Sequence, residues 1–195
     1  MIDLSVIILS GGNAKRFKSD KTIALLHGKP LYMYGLEYGL KVSDNIIHIS
    51  KNKDKYKPFH KNILYYEDDL EEVCPMSGLI KAGNVAKYNN ICVISADSPM
   101  VNDKLILYMY NQLKDYDGVV PIFNNKHYPL IAVYKKYVLN SMVDDYNNKN
   151  YKLIKSIEKY NIKYLEENEI LQAGFNKNIF ININYKEDLK LLEDI

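Results

Sequence analysis

Apolar and polar positions follow two periods along this chain, and the two take turns. The apolar run from Leu4 to Leu9 has the continuity of a strand buried on both faces. From Leu31 to Leu40 the apolar residues recur at helical spacing. Asn45 to Ser50 predicts a second strand and Asn62 to Tyr66 a short third one. Met76 to Tyr88 predicts a helix, and Ile91-Cys92-Val93-Ile94 a strand. Between Asp103 and Leu113, the residues Leu105, Met109 and Leu113 recur at i, i+4, the stripe of an amphipathic helix. Gly118 to Pro121 and Leu130 to Tyr134 predict strands, Lys136 to Tyr146 and Tyr151 to Tyr160 helices, and Phe180-Ile181 a brief strand. A last helix is expected from Tyr185 to Leu192, with Asn184 as its N-cap and Glu187 three residues on.

Strands that alternate with helices imply an α/β fold, a mostly parallel sheet covered on both faces. Such sheets bind ligands at the carboxyl ends of their strands. Residues 10–21, Asp97 and Asn182 each follow a predicted strand, so one edge of the sheet is expected to collect them. No Gly/Ser-rich or Pro-rich linker, low-complexity tract or repeat interrupts the pattern, so residues 1–195 are read as a single domain. With 26 Lys and Arg against 24 Asp and Glu, the chain lacks the basic excess of a nucleic-acid binder. No window approaches the ~20 apolar residues of a membrane span, and Met1 to Ser5 lacks the start of a signal peptide. Neither nucleic acid nor a membrane is expected as a partner, and the cytoplasm is the expected location. Cys74 and Cys92 have no metal-ligand spacing and no disulfide framework around them. Cys92, inside an apolar run, is expected as a reduced core residue. The 18 tyrosines, with no tryptophan, are expected at half-buried amphipathic positions.

The first strand runs into Ser10-Gly11-Gly12-Asn13-Ala14-Lys15-Arg16-Phe17-Lys18-Ser19-Asp20-Lys21. Two glycines let the backbone turn sharply and bring its N–H groups close to a phosphate. Arg16 can clasp two phosphate oxygens, and Lys21 adds a point charge. The spacing is neither that of a Walker A loop nor that of a dinucleotide-binding fingerprint. Two glycines alone would equally suit a plain turn beside a solvated charge run. Asp97 stands directly after the strand Ile91 to Ile94, where a carboxylate can hold Mg²⁺ against phosphates; before Ser98-Pro99 it can also be ordinary turn chemistry.

The string Leu9-Ser10-Gly11-Gly12, with Arg16, Asp20 and Lys21 at their spacing, resembles the L-A-G-G-x-S-x-R-M-G-x-D-K signature of the NTP-transferase family. Gly28-Lys29-Pro30-Leu31 is similar to the G-K-P-L that follows it there, and Asp97-Ser98-Pro99 to the family's magnesium-holding D-x-P. Further along, Glu67-Asp68 ahead of Pro75-Met76-Ser77-Gly78-Leu79 resembles the E-D and G-P-L-A-G of molybdenum cofactor guanylyltransferases. Pro129 to Tyr134 resembles their H-P-x-I-A-L, and Phe180-Ile181-Asn182-Ile183-Asn184 with its acidic continuation resembles their F-x-N-x-N ending. The resemblance covers nearly the whole chain. It implies a Rossmann-like three-layer α/β/α fold of the nucleotidyltransferase type, with a mostly parallel mixed sheet.

It further implies transfer of GMP from GTP to the terminal phosphate of molybdopterin or molybdenum-molybdopterin, with release of pyrophosphate. Mg²⁺ would be the cofactor, and other cofactor-biosynthesis proteins possible partners. Leu9, Ser10, Gly11, Gly12 and Lys21 would bind the nucleotide. Arg16, Lys21 and Asp97 would act in catalysis, Asp97 as the metal ligand. Asp68, whose neighbour Asp69 competes for the role, would accept the N1 and N2 donors of guanine. Asn182 and Asn184 would help place the acceptor, where turn and N-cap duty is the competing role. The same chemistry with CTP or another NTP and a different phosphorylated acceptor, or a nucleotide-binding relative without turnover, are the alternatives. Three departures stand out: Ser10 where the family has Ala, Lys18 where it has Gly, and no acceptor motif near Lys152 and Lys155.

Overall fold

A computed structural model describes residues 1–11, 21–56, 58 and 60–193. The sheet is built on β1 (Ser5–Ser10), whose residues are all buried. The strand β4 (Asn45–Ser50) lies parallel on one side of it and β6 (Asn90–Ser95) parallel on the other. Beyond β4 lies β5 (Ile63–Glu67), also parallel. On the far side of β6 comes β9 (Ile131–Lys135), then β7 (Gly118–Phe123) and β10 (Ile162–Leu165). β9 is antiparallel to both neighbours, while β10 is parallel to β7. Two short pieces, β2 (Leu25–Leu26) and β3 (Lys29–Pro30), form a separate hairpin, and β8 (Lys126–His127) pairs with β7. The sheet is thus mixed and mostly parallel, as the alternation of periods implies.

Alternation along each strand sorts the core into two layers. Val6 and Ile8 of β1 face one way with Ile46, Cys92 and Val133. They meet α1 (Leu31–Val42) through Leu36, and α3 (Asp103–Leu113) through Leu105, Ile106 and Met109. Ile7 and Leu9 face the other way with Ile47, Ile49 and Val93. They meet α2 (Pro75–Val85), α4 (Lys136–Asn140), α5 (Met142–Asn147) and α6 (Leu153–Ile157). Each face is worth ~1.5–3 kcal/mol per large apolar side chain removed from water, which is why strands apolar at every position select the three-layer arrangement. A third, smaller cluster of Leu26, Leu31, Ile183 and Leu192 ties the β2–β3 hairpin to the C-terminal helix α8 (Lys186–Glu193).

Several element boundaries differ from the apolar pattern, each for a local reason. α2 stops at Val85, short of Tyr88. Ala86 N–H still closes the last turn on the Ala82 carbonyl, and the two donors after it go to other strands: Lys87 N–H to Asn45 Oδ1 and Tyr88 N–H to Ser5 Oγ. The helix expected over Lys136 to Tyr146 divides at Ser141, whose hydroxyl donates back to the Val138 carbonyl. The one expected over Tyr151 to Tyr160 contracts to α6. Phe180-Ile181 is not a strand: Asn176 accepts the Asn178 N–H and winds Lys177–Phe180 into a 3₁₀ turn. β10 and α7 (Glu167–Gln172) are additions that the apolar periods do not announce. The α8 start is shifted by one residue, because Asp188, and not Glu187, reaches back to the Tyr185 N–H at 2.8 Å. Among the described residues no helix is long and apolar enough to cross a membrane.

Where β10, β7 and β9 meet, Gly118 is packed so closely that a methyl group there would lie 2.8 Å from Tyr134 Cδ1 and 2.9 Å from Ile162 Cδ1. Gly118→Ala is therefore expected to lower the unfolding free energy by about 1–3 kcal/mol in urea titrations. An unchanged unfolding curve would show that the strands are not so closely packed.

Candidate active site

The parallel strands end level with one another. Ser10 is paired with Ser50, Leu9 with Ser95, and Ser50 with Glu67. The residues that leave these ends, Gly11, Lys51, Asp68 and Asp97, therefore share one edge of the sheet. Two backbone bonds extend the pairing past the strands: Asp68 N–H donates to Ser50 O, and Ala96 N–H to Leu9 O. A cleft runs along this edge. One half has an apolar floor of Leu9, Ile49 and Leu130, with Asp68, Cys74, Pro75 and Gly78 on its walls. The other half holds Lys21, Thr22, Asn52, Lys55 and Tyr56. Ser10, Gly11, Ser50, Lys51 and Val73 line both halves.

Around Lys21 the chain brings distant residues into contact. The Lys21 ammonium is ion-paired with Asp97 Oδ2, and it also donates to Asn184 Oδ1 at 3.3 Å. The pair is largely shielded, with side chains 18% and 11% exposed. Ser95 donates to Asp97 Oδ1 at 2.5 Å. Ser98 Oγ donates to Asn182 Oδ1 at 2.8 Å, and Ile183 N–H to the Asp97 carbonyl at 2.8 Å. The segment with Asn182 and Asn184 is thereby stitched to the end of β6. It reaches this edge through that stitching and the Ile183 cluster, not as the continuation of a strand. The N-cap role expected for Asn184 is not what its side chain does: the α8 start is closed by Asp188, and the Asn184 amide faces Lys21.

In the apolar half, the two neighbouring carboxylates separate. Asp68 points inward with a side chain 8% exposed, beside Lys51 at 3.2 Å and the Ser77 hydroxyl. Asp69 points out, 69% exposed, and pairs with Lys81, which holds its carboxyl below the usual range. Gly78 lets α2 lie against β1: a Cβ there would stand 3.2 Å from Leu9 Cδ2. Ser10, unexplained beside the family's Ala, has a partner: its hydroxyl shares a 2.7 Å hydrogen bond with the buried His48, which is ringed by Tyr32, Tyr56 and Tyr65. Tyr56 in turn shares a 2.8 Å bond with Thr22, next to Lys21. Gly12 and Arg16, with Asp20 and Lys18, lie outside the described residues. No group of three or more metal-ligating side chains occurs among the described residues.

The profile of the MobA-like NTP transferase domain matches residues 6–160. The chain belongs to the MobA-like NTP transferase family. It is 31% identical, over 94% of its length and 93% of the relative's, to a Clostridium perfringens protein named a probable molybdenum cofactor guanylyltransferase. A Bacillus subtilis protein of the same name is 25% identical over 192 residues. Among solved structures, the molybdopterin-guanine dinucleotide biosynthesis protein A of Archaeoglobus fulgidus superposes with a TM-score of 0.81 at 21% identity, covering 97% of each chain. The 2-C-methyl-D-erythritol 4-phosphate cytidylyltransferase of Thermus thermophilus shares the fold at a TM-score of 0.75 and 13% identity.

As a MobA-like NTP transferase the protein is a nucleotidyltransferase enzyme. The family signature and the cleft coincide: Leu9, Ser10, Gly11 and Lys21 all border it. Motif reading did not single out Lys51, Ser95, Ser98 or His48. Lys51 follows a predicted strand, so the carboxyl-end rule that selected Asp97 would have selected it too. Ser95 and Ser98 flank Asp97 in sequence, but their hydroxyl contacts need the turn itself. Both cysteines are free. Cys92 is fully buried and burial pushes its thiol up, whereas Cys74 lines the cleft. A thiol-alkylating reagent is expected to label Cys74 in the native protein and to reach Cys92 only on unfolding. Equal labelling rates would contradict the placement.

Proposed function

We propose that this enzyme transfers GMP from GTP to the terminal phosphate of molybdopterin, with or without bound molybdenum, and releases pyrophosphate. The observation that carries this reading is the polarity of the cleft. One carboxylate, Asp68, stands in an apolar half suited to a purine, and Lys21, which holds Asp97 and Asn184, lines the other. The relatives' names supply the chemistry of GTP and acceptor. Residues 1–195 would act as one domain.

An acceptor phosphate oxygen would attack the α-phosphorus of GTP. The bond to the bridging oxygen of the β-phosphate breaks as the new P–O bond forms, and pyrophosphate leaves with that electron pair. The nucleophile is already an anion, so positioning and electrostatics carry the rate and no general base is needed. Lys21, together with Arg16, would neutralise charge growing on the leaving group. Asn182 and Asn184 would orient the acceptor. Asp97 fits Mg²⁺: it already holds a cation, the Lys21 ammonium, and Mg²⁺ asks for one or two carboxylates beside phosphate oxygens and water. Bound there, the ion would supply further charge stabilisation for in-line displacement. The backbone at Leu9, Ser10, Gly11 and Gly12 would cradle the nucleotide, and Asp68 would accept two hydrogen bonds from guanine.

Pyrophosphate release from GTP and molybdopterin with Mg²⁺ tests the roles. Lys21→Ala and Asp97→Ala should each lower the rate by roughly 100-fold or more, while Asp69→Ala should leave it near normal. Near-normal turnover in either of the first two removes that residue from the machinery. Greater thermal protection by GTP than by CTP is expected; equal protection would overturn the guanine assignment.

A further inference from the structure

Lys51 stands on the boundary between the two halves of the cleft, one residue beyond β4. Its ammonium does not extend into solvent. It donates to the Leu70 carbonyl and lies 3.2 Å from Asp68 Oδ2, with the side chain 27% exposed. Among the described residues it is the one cation that lines the apolar half; Lys55 and Lys21 line the other, and Lys81 is paired with Asp69. An ammonium has three donors; the Leu70 carbonyl takes one, and the Asp68 carboxylate lies at ion-pair distance. Asp68 Oδ2 accepts from the Ser77 hydroxyl and faces Lys51, while among the described residues Oδ1 takes only the Leu70 N–H, at 3.3 Å. The pair thus presents carboxylate acceptors and an ammonium donor side by side at an apolar pocket.

We propose that Lys51 is a specificity-determining residue that donates a hydrogen bond to the 6-keto oxygen of guanine, next to the N1 and N2 donors taken by Asp68. This inference rests on the reading of the apolar half as the base site. Guanine presents an acceptor followed by two donors along its pairing edge. A carboxylate alone reads only the donors. With the ammonium beside it the pocket reads all three, and it meets adenine, in the same orientation, with an amino group facing a cation.

Three triphosphates separate the contacts: GTP, 6-thio-GTP (a weak sulfur acceptor in place of O6), and ITP (O6 kept, the N2 amino group absent). Dissociation constants with Mg²⁺ are measured for the native protein, Lys51→Met and Lys51→Arg. The native protein is expected to bind GTP about tenfold or more tighter than 6-thio-GTP, the range of one hydrogen bond to a charged group. Lys51→Met should bring that ratio to about one and leave the GTP-to-ITP ratio unchanged, and Lys51→Arg should keep much of the discrimination. If Lys51→Met weakens GTP and 6-thio-GTP equally, Lys51 merely holds Asp68 in place and the proposal is overturned. A native protein that binds GTP no better than CTP fails earlier, at the base-site reading itself.

Discussion

Parallel pairing of β4, β1 and β6 is the constraint from which the site follows. A parallel ladder fixes register along its whole length, and a one-residue slip would turn every buried side chain to the opposite face. Ile46, Val6 and Cys92 share one layer of the core, and Ile47, Ile7 and Val93 the other. The hydrophobic cost of moving them out holds the strand ends level. Ser10, Ser50 and Ser95 then close the strands within one residue of one another, and the candidate site residues leave from the same edge. The positions of the candidate site residues are thereby set by burial elsewhere in the sheet.

On this frame the charges are distributed in pairs. Asp97 is matched with Lys21 and Asp68 with Lys51, both partly withdrawn from water. Such pairs contribute little to stability, because desolvation offsets much of the attraction. Their value lies in holding geometry: each carboxylate is oriented by a serine as well, Asp97 by Ser95 and Asp68 by Ser77. In the proposed reaction a polyphosphate entering the cleft would offer Lys21 an alternative partner and leave Asp97 free for a cation. The resting ion pair would thus be exchanged for two new ones.

The central strands and the helices that pack on them were legible because their apolar periods are long and uninterrupted. β10 was not: Ile162-Lys163-Tyr164-Leu165 is a short, half-exposed edge strand with no apolar run. The extra turn read onto α2 failed because side chains of β1 and β4 take the donors of residues 87 and 88, which is a tertiary effect. In the cleft, the motifs pointed to Leu9, Ser10, Gly11, Lys21, Asp97 and the two asparagines, which the fold brings to one edge. The choice between Asp68 and Asp69 could not be read from adjacent carboxylates, since strand alternation after β5 decides which one turns inward. Ser10 acquired a reason only with His48, 38 residues away and fully buried.

The proposed reaction needs one nucleotide reaching from Asp68 to the Lys21–Asp97 pair, and a crystal structure with GTP and Mg²⁺ tests this most directly. It predicts the guanine edge against Asp68 in the apolar half, the phosphates reaching Lys21, and Asp97 released from Lys21 to face the metal. A nucleotide bound with its base outside that half, or with the Lys21–Asp97 pair intact and the phosphates elsewhere, would contradict it.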